Sequence, residues 1–240
     1  MRDYFKTGIT LMIITVIAAF ALSAVYSIVK EPIANAELGA KLLAIRSVLK
    51  DSTSGGSLVS DERIPSTAGD LAKFEWSPSG FQVEDGIIYR SDNGRGKVDN
   101  PVYRFTSDDG REIYIAIASA VGYGGDVKTM ASFISTGTGL KLNGIKVLEY
   151  SQETPGLGAN IANSDIQKRF YPVEPSGLER ELKVNKDAGV TPIGEEIDLK
   201  RETEGIVTVT DVMTGATITP RAVTVSINTM YQFLKKAGVK

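Results

Sequence analysis

The sequence predicts an α+β protein in which a single N-terminal transmembrane helix precedes a domain with an antiparallel sheet and packed helices. An uncharged run of 22 residues, 8–29, has the length of a membrane-spanning helix. Two apolar runs between residues 102 and 121 flank an Asp-Gly turn, which is the pattern of a β-hairpin. Near the C-terminus, apolar residues recur at spacings of four, three and four, as on one face of a helix.

The uncharged run predicts a retained anchor, so residues 1–30 are interpreted as an N-terminal tail with a transmembrane helix. A cleaved signal peptide is the alternative, because Ala34-Asn-Ala36 has the small-x-small pattern of a cleavage site. The apolar region of a signal peptide has about 7–15 residues, and this run is longer, which favours the anchor. Basic residues lie on both sides of the run, so their distribution does not decide its orientation.

Residues 31–100 are predicted to form a helical connector, a linker and a small β region. Apolar residues at helical spacing continue to Leu49, whereas residues 51–70 are rich in Ser, Thr and Gly and are typical of a loop. Short strand-like pieces such as residues 86–90 follow. Trp76, the only tryptophan, is expected to pack in the core.

Residues 101–240 are predicted to form the main domain. Alternating apolar runs predict six strands: 102–106, 111–118, 127–134, 140–150, 181–184 and 206–209, of which the last two are expected to close the sheet. A short helix is expected near residues 161–170, and a charged loop containing Asp187, Glu195 and Glu196 is expected to link the last two strands. The Gly-rich turn at 135–139 lacks the spacing of a nucleotide-binding loop, so a Rossmann or P-loop fold is excluded.

Composition excludes several classes of function. The chain has no Cys and no His, which removes thiolate nucleophiles, Ser-His-Asp triads, iron–sulfur clusters held by Cys, and His-based metal sites. We therefore expect neither a metal site nor a catalytic residue. A net charge of −2 gives no support to a nucleic-acid partner. Redox work by such a chain requires a bound organic cofactor.

The segment from Asp211 to Pro220 predicts a strand–turn–helix corner. Pro220 suits the first helical position and Thr219 the N-cap before it. The N-terminus of a helix presents free N–H groups and a partial positive charge, which suit a phosphate. Spacing alone favours ordinary helix capping over a functional site.

The residues of this corner, Asp211-Val-Met-Thr214-Gly215-Ala216-Thr217, resemble the flavinylation motif of a known family. Its members are the FMN-carrying subunits of membrane redox pumps, namely the G subunit of the Rnf complex and the C subunit of the sodium-translocating NADH:quinone oxidoreductase. Glu153-Thr-Pro-Gly-Leu-Gly158 and Gly122-Tyr-Gly-Gly125 resemble two further signatures of that family. The resemblance covers residues 102–234, and the short chain favours the G subunit.

The resemblance implies that residues 101–240 bind FMN, which is joined covalently through its phosphate to the hydroxyl of Thr217. Asp211 would belong to what a separate flavin transferase recognises. The other residues expected to contact the cofactor lie in the same two motifs: Thr214, Gly215, Ala216, Thr219, Glu153, Thr154, Gly156 and Leu157.

The implied function is that of an electron relay without a substrate site of its own. Its partners would be the other membrane subunits of an Rnf-type complex and, during maturation, the flavin transferase. The anchor would lie in the inner (cytoplasmic) membrane, with the soluble domain on the periplasmic or extracellular side. The alternatives are the quinone-reductase C subunit, a membrane-anchored FMN-domain regulator or sensor, and an exported structural domain.

Overall fold

A long helix, α1 (Arg2–Val48), begins the chain in the computed structural model, which describes residues 2–240. It runs through Pro32 and Gly39 without a break, and every residue from Tyr4 to Glu37 is exposed. The part of α1 from Tyr4 onward is long and apolar enough to cross a membrane, although a signal sequence at this position has the same properties. The protein has two units, one ending at Leu42 and one formed by Leu43–Lys240.

The second unit is built on a seven-stranded antiparallel sheet. Its strands are β1 (Glu75–Trp76), β2 (Ile87–Arg90), β3 (Gly96–Asp99), β4 (Val102–Thr106), β5 (Glu112–Val121), β6 (Asp126–Thr136) and β7 (Gly139–Glu149). The predicted hairpin is β4–β5, and the predicted strand pair is β6–β7; both are confirmed.

Strand β5 is the centre of this sheet. Along one edge it pairs with β6 over its whole length. Along the other edge its first half pairs with β4, and its second half pairs with β3. Strand β1 pairs with β4, and strand β2 pairs with β3. The strands before residue 100 therefore belong to the same sheet as those after it, whereas the sequence led us to expect domain boundaries after residues 30 and 100.

One face of the sheet is covered by the C-terminal helix α7 (Ile218–Lys236). The four residues predicted at helical spacing, Val223, Ile227, Met230 and Leu234, are all fully buried. The helix approaches β3 so closely that a Cβ atom at Gly96 would lie 3.0 Å from Cβ of Thr229. Trp76 packs edge-to-face against Phe233 of α7, with ring centroids 6.2 Å apart.

The opposite face of the sheet is covered by residues that precede it in the chain. Side chains of alternate strand positions, such as Phe105 and Ile115, are buried there, and Phe105 stacks on Phe74 with centroids 4.3 Å apart. Ile45, in the last turn of α1, and Leu49, directly after it, are fully buried there. Its final carbonyl, that of Val48, accepts hydrogen bonds of 2.6 Å from Ser132 and 3.0 Å from Asn143.

Short helices lie outside the sheet, most of them in the connection from β7 to α7. Helix α2 (Ala68–Ala72) precedes β1, and α3 (Ser164–Gln167), α4 (Pro175–Glu179), α5 (Asn185–Ala188) and α6 (Glu196–Glu204) follow β7. The predicted short helix near residues 161–170 consists of α3 between two 3₁₀ helices, Gly158–Ala162 and Lys168–Phe170.

Two predictions for the connection from β7 to α7 are wrong. The last two predicted strands, β8 (Lys183–Val184) and β9 (Ile206–Val207), pair with each other in parallel and do not close the main sheet. The charged segment after Glu195 is the helix α6 and not a loop. Its residues favour helix, and Gly205, with φ of +71°, ends it in the left-handed conformation that glycine adopts easily.

Candidate functional site

The corner that leads into α7 is a compact turn. The carbonyl of Val209 accepts hydrogen bonds from the N–H groups of Val212 and Met213, at 3.2 Å and 2.8 Å. Met213 and Ala216 are buried, whereas Thr214 and Gly215 are exposed. Gly215 has φ of +82°, a conformation that side chains with a Cβ atom disfavour. The turn thus exposes Thr214 and Gly215, while the side chains of Met213 and Ala216 pack in the core below them.

The start of α7 lies before the predicted position. Helix α7 begins at Ile218, so Thr217 is the N-cap residue and its side chain makes no capping hydrogen bond. Thr219 is therefore not the N-cap, and Pro220 is the third helical residue and not the first. Proline is tolerated there because the N–H groups of the first turn have no partner within the helix. Periodicity and residue type place a helix start only to within one or two positions.

Thr219 has a different partner, the side chain of Glu153. Its hydroxyl donates a hydrogen bond to Oε2 of Glu153, and both residues are almost completely buried. The other carboxylate oxygen, Oε1, accepts hydrogen bonds from the backbone N–H groups of Tyr123 at 2.8 Å and Gly124 at 3.3 Å. One buried carboxylate, itself in the second motif, therefore joins the first motif to the start of α7, which directly follows the third motif.

The glycines of these motifs leave room for that carboxylate. A Cβ atom at Gly122 would lie 2.8 Å from the carbonyl oxygen of Gly125 and still closer to Glu153. At Gly158 it would lie 2.6 Å from the hydroxyl of Thr219. Neither position has space for a side chain, because real Cβ contacts are longer than 3.0 Å.

A cleft of about 460 Å³ opens where the three motifs meet. Its lining contains seven of the residues that the resemblance implies: Glu153, Thr154, Leu157, Gly215, Ala216, Thr217 and Thr219. Three apolar side chains at the cleft, Tyr123, Leu157 and Ile218, are exposed by 72%, 42% and 41%. Exposed apolar groups of this size around a concave site favour the binding of a planar, partly apolar ligand.

The remaining predicted residues lie near the cleft but do not line it. Thr214 donates a hydrogen bond of 3.3 Å to the carbonyl of Thr210. Gly156 occupies a tight turn with φ of +74° and accepts a hydrogen bond from Asn160. Asp211 forms an ion pair of 3.3 Å with Arg169 and is half exposed.

Positive charge lies beside Thr217. Nζ of Lys186, on α5, is 3.4 Å from Oγ1 of Thr217. The next residue of α5, Asp187, accepts two hydrogen bonds from the guanidinium of Arg221, one turn into α7, and that from Nε is 2.6 Å long. Hydrogen bonding to Arg221 is the main cause that lowers the pKa of the Asp187 carboxyl below its usual value.

Comparisons with known proteins show which family the chain resembles. A model of the FMN-binding domain matches residues 122–232. The G subunit of the ion-translocating oxidoreductase complex from strains of Vibrio cholerae serotype O1 is 30% identical over 130 residues, which are 53% of either chain. The chain thus matches about half the length of these curated relatives.

A crystal structure from Thermotoga maritima, provisionally described as an RnfG protein of an electron transport complex, is 37% identical. The match has a TM-score of 0.62 and covers 83% of this chain and 98% of that one. The chain belongs to the RnfG family.

The FMN-binding domain of this RnfG-family chain includes all parts of the cleft. The matched range begins at Gly122, in the first motif, and ends in α7, beyond Thr217. The cleft offers exposed apolar side chains, Thr217 in its lining, and the ammonium group of Lys186 beside that residue.

Sequence reasoning missed four residues of this site: Tyr123, Gly158, Ile218 and Lys186. Tyr123 and Gly158 belong to the recognised motifs, and Ile218 directly follows one, so the motifs were a signal that could have indicated these three residues. Lys186 lies 31 residues before Thr217 in a segment without any motif, and only the folded chain brings it to the site.

Proposed function

We propose that this chain is the FMN-carrying G subunit of an Rnf-type ion-translocating oxidoreductase, in which it relays electrons between other membrane subunits. One observation carries the proposal: the hydroxyl of Thr217 stands at the wall of the cleft where the three family motifs meet. The name of the curated relatives is the reason for preferring this role to that of the quinone-reductase C subunit.

FMN is attached, in this proposal, by a phosphoester to Thr217. Oγ1 of Thr217 forms a bond to the phosphorus of the FMN half of FAD, the bond to the AMP half breaks, and AMP leaves with the hydroxyl proton. A separate flavin transferase supplies the base, since His and Cys are absent from the sequence. Thr217 makes no capping hydrogen bond, so its oxygen is available for this reaction.

The cleft residues hold the ring and keep the attachment site in place. Leu157 and Ile218 offer apolar contacts to the isoalloxazine, and Tyr123 an aromatic one. Glu153 fixes the loops from which these side chains project, because it ties the first motif to the start of α7. The flavin, when bound, accepts and donates electrons, which the chain's own side chains do not.

The protein is anchored, we infer, by α1 in the inner membrane, with residues 43–240 on the periplasmic or extracellular side. The uncharged run 8–29 supports the anchor. A covalent cofactor suits a compartment in which free FMN is scarce, because a noncovalent site loses its ligand by mass action. Asp211, half exposed at the corner, belongs to the surface that the transferase contacts.

Intact-mass measurement after co-expression with a flavin transferase tests the proposal. We expect wild type and Thr217→Ser to gain the mass of one FMN less one water, and Thr217→Ala to gain nothing. Thr191→Ala is the matched control, because Thr191 is an exposed threonine that lies outside the three motifs and does not line the cleft; it should be flavinylated normally. An adduct on Thr217→Ala, or its absence from wild type, would contradict covalent attachment at this oxygen.

A further inference from the structure

We propose that Lys186 binds the phosphate of the Thr217 phosphoester and thereby positions it during and after flavinylation, a role that rests on the proposed function. Its ammonium nitrogen is 3.4 Å from Oγ1 of Thr217, the oxygen that becomes bonded to phosphorus. The phosphoester carries one negative charge, which this single cation matches.

The position of Lys186 is fixed on both sides by its neighbours in α5. Asn185, which is 2% exposed, donates a hydrogen bond of 2.8 Å to Oγ1 of Thr210 and accepts one of 3.3 Å from the N–H of Val209. Asp187 is held by the two hydrogen bonds from Arg221. A lysine between two anchored residues has its backbone placed beside Thr217, although its side chain is exposed.

The paired strands β8 and β9 strengthen this placement. Val184, two residues before Lys186, lies opposite Val207 in the parallel pair, and both are buried. The segment that carries Lys186 and the segment that leads to Thr217 are therefore joined by backbone pairing. The short β8–β9 sheet therefore helps to place Lys186 beside Thr217.

The charges leave Lys186 available for the phosphate. Arg221 is also near Thr217, but its guanidinium is neutralised by Asp187. Within the part of the chain that the structure describes, Lys186 takes part in no ion pair, and its hydrogen bond is to the Thr217 hydroxyl. The start of α7 adds its partial positive charge on the same side, so a phosphate on Thr217 meets two favourable groups.

The test combines flavinylation rates with a spectroscopic signal of the phosphate. Full-length Lys186→Gln, Lys186→Arg and the control Lys183→Gln are incubated with purified flavin transferase and FAD, and the initial rate of mass gain is measured. Lys183 is an exposed lysine of the same segment, so its variant removes the same charge. The ³¹P NMR shift of each loaded, folded protein is then compared with that of the loaded wild type.

We expect Lys186→Gln to be flavinylated about fivefold more slowly, the ratio that corresponds to ~1 kcal/mol for an exposed ion pair. Its ³¹P resonance should shift, whereas Lys186→Arg and Lys183→Gln should stay close to wild type. The rate difference should shrink as salt is added.

Three outcomes overturn the proposal. Lys186→Gln and wild type could agree in both rate and ³¹P shift, which leaves no role for Lys186. Lys183→Gln could match Lys186→Gln, which would make the effect one of general charge. A slow rate with an unchanged ³¹P shift would make Lys186 a contact of the transferase and not of the phosphate. Failure of the proposed function looks different, because the wild type itself then gains no FMN.

Discussion

Replacement of Glu153 tests whether one buried carboxylate holds the cleft together. Glu153→Ala removes the acceptor of three hydrogen bonds, from Tyr123, Gly124 and Thr219. At about 1.5 kcal/mol for each bond to a charged group, the loss of stability amounts to about 4–5 kcal/mol. For a domain of this size that corresponds to a fall in Tm of roughly 9–18 °C.

Glu153→Gln separates the charge from the hydrogen bonds. Its amide oxygen still accepts from the two backbone N–H groups, and its NH₂ donates to the hydroxyl of Thr219, which then accepts. We expect a loss of about 1.5 kcal/mol, or a fall in Tm of roughly 3–6 °C. The assay is thermal unfolding of the flavin-free full chain in detergent, followed by the fluorescence of Trp76, which packs in the core of the sheet unit.

Glu149→Gln is the matched control, because the Glu149 side chain is 61% exposed and, among residues 2–240, forms an ion pair with Lys128 alone. It should change stability by less than about 0.5 kcal/mol. A Tm of Glu153→Ala within about 3 °C of wild type would refute the reasoning from buried hydrogen bonds. Equal losses for the alanine and glutamine variants would show that charge alone matters.

Two further predictions concern the first motif and the sheet. Gly124→Ala places Cβ 2.7 Å from the carbonyl carbon of Gln152, so we expect a loss of about 2 kcal/mol, whereas Gly137→Ala meets nothing within 4 Å and should be neutral in the same unfolding assay. Burial raises the pKa of Tyr103 to about 12. Burial also raises the pKa of Tyr114 to about 12. Because an unfolded tyrosine ionises near pH 10, stability should fall as pH rises from 10 to 12. Absorbance at high pH should show late-titrating tyrosines, and Tyr103→Phe should remove one of them; an unchanged late titration in Tyr103→Phe would contradict the burial.

The elements that local pattern specifies could be predicted from the sequence. The 22-residue uncharged run, the Asp-Gly hairpin and the spacing from Val223 to Leu234 each correspond to an observed element. These signals lie within one element or between sequence neighbours. They can therefore be interpreted without knowledge of the tertiary structure.

The elements that depend on distant partners could not be predicted. The runs at 181–184 and 206–209 have the composition of strands, but they pair with each other and not with a strand of the main sheet, and composition does not specify a strand's partner. The predicted start of α7 was wrong because Thr219 has two possible uses for its hydroxyl, and only the fold brings Glu153 near it. Residue type alone favours the cap.

The candidate site likewise contains residues that a local motif indicates and a residue that only the folded chain brings there. Motif resemblance indicated seven residues that the structure brings to one cleft, including Thr217. It did not indicate Lys186, since a lysine in a polar segment has no distinguishing pattern until the parallel pair β8–β9 places it.

The packing around the Glu153 carboxylate also has an evolutionary consequence. Gly122, Gly158 and Thr219 all depend on the length of the side chain at 153, because a Cβ atom at either glycine would overlap the carboxylate or the threonine hydroxyl. A larger residue at Gly158 or Thr219 requires a shorter one at 153, and the N–H groups of the first motif then need a new acceptor. Positions 153, 158 and 219 should therefore covary among relatives. Gly122 should rarely be exchanged at all, because a Cβ atom there would also lie 2.8 Å from the carbonyl oxygen of Gly125.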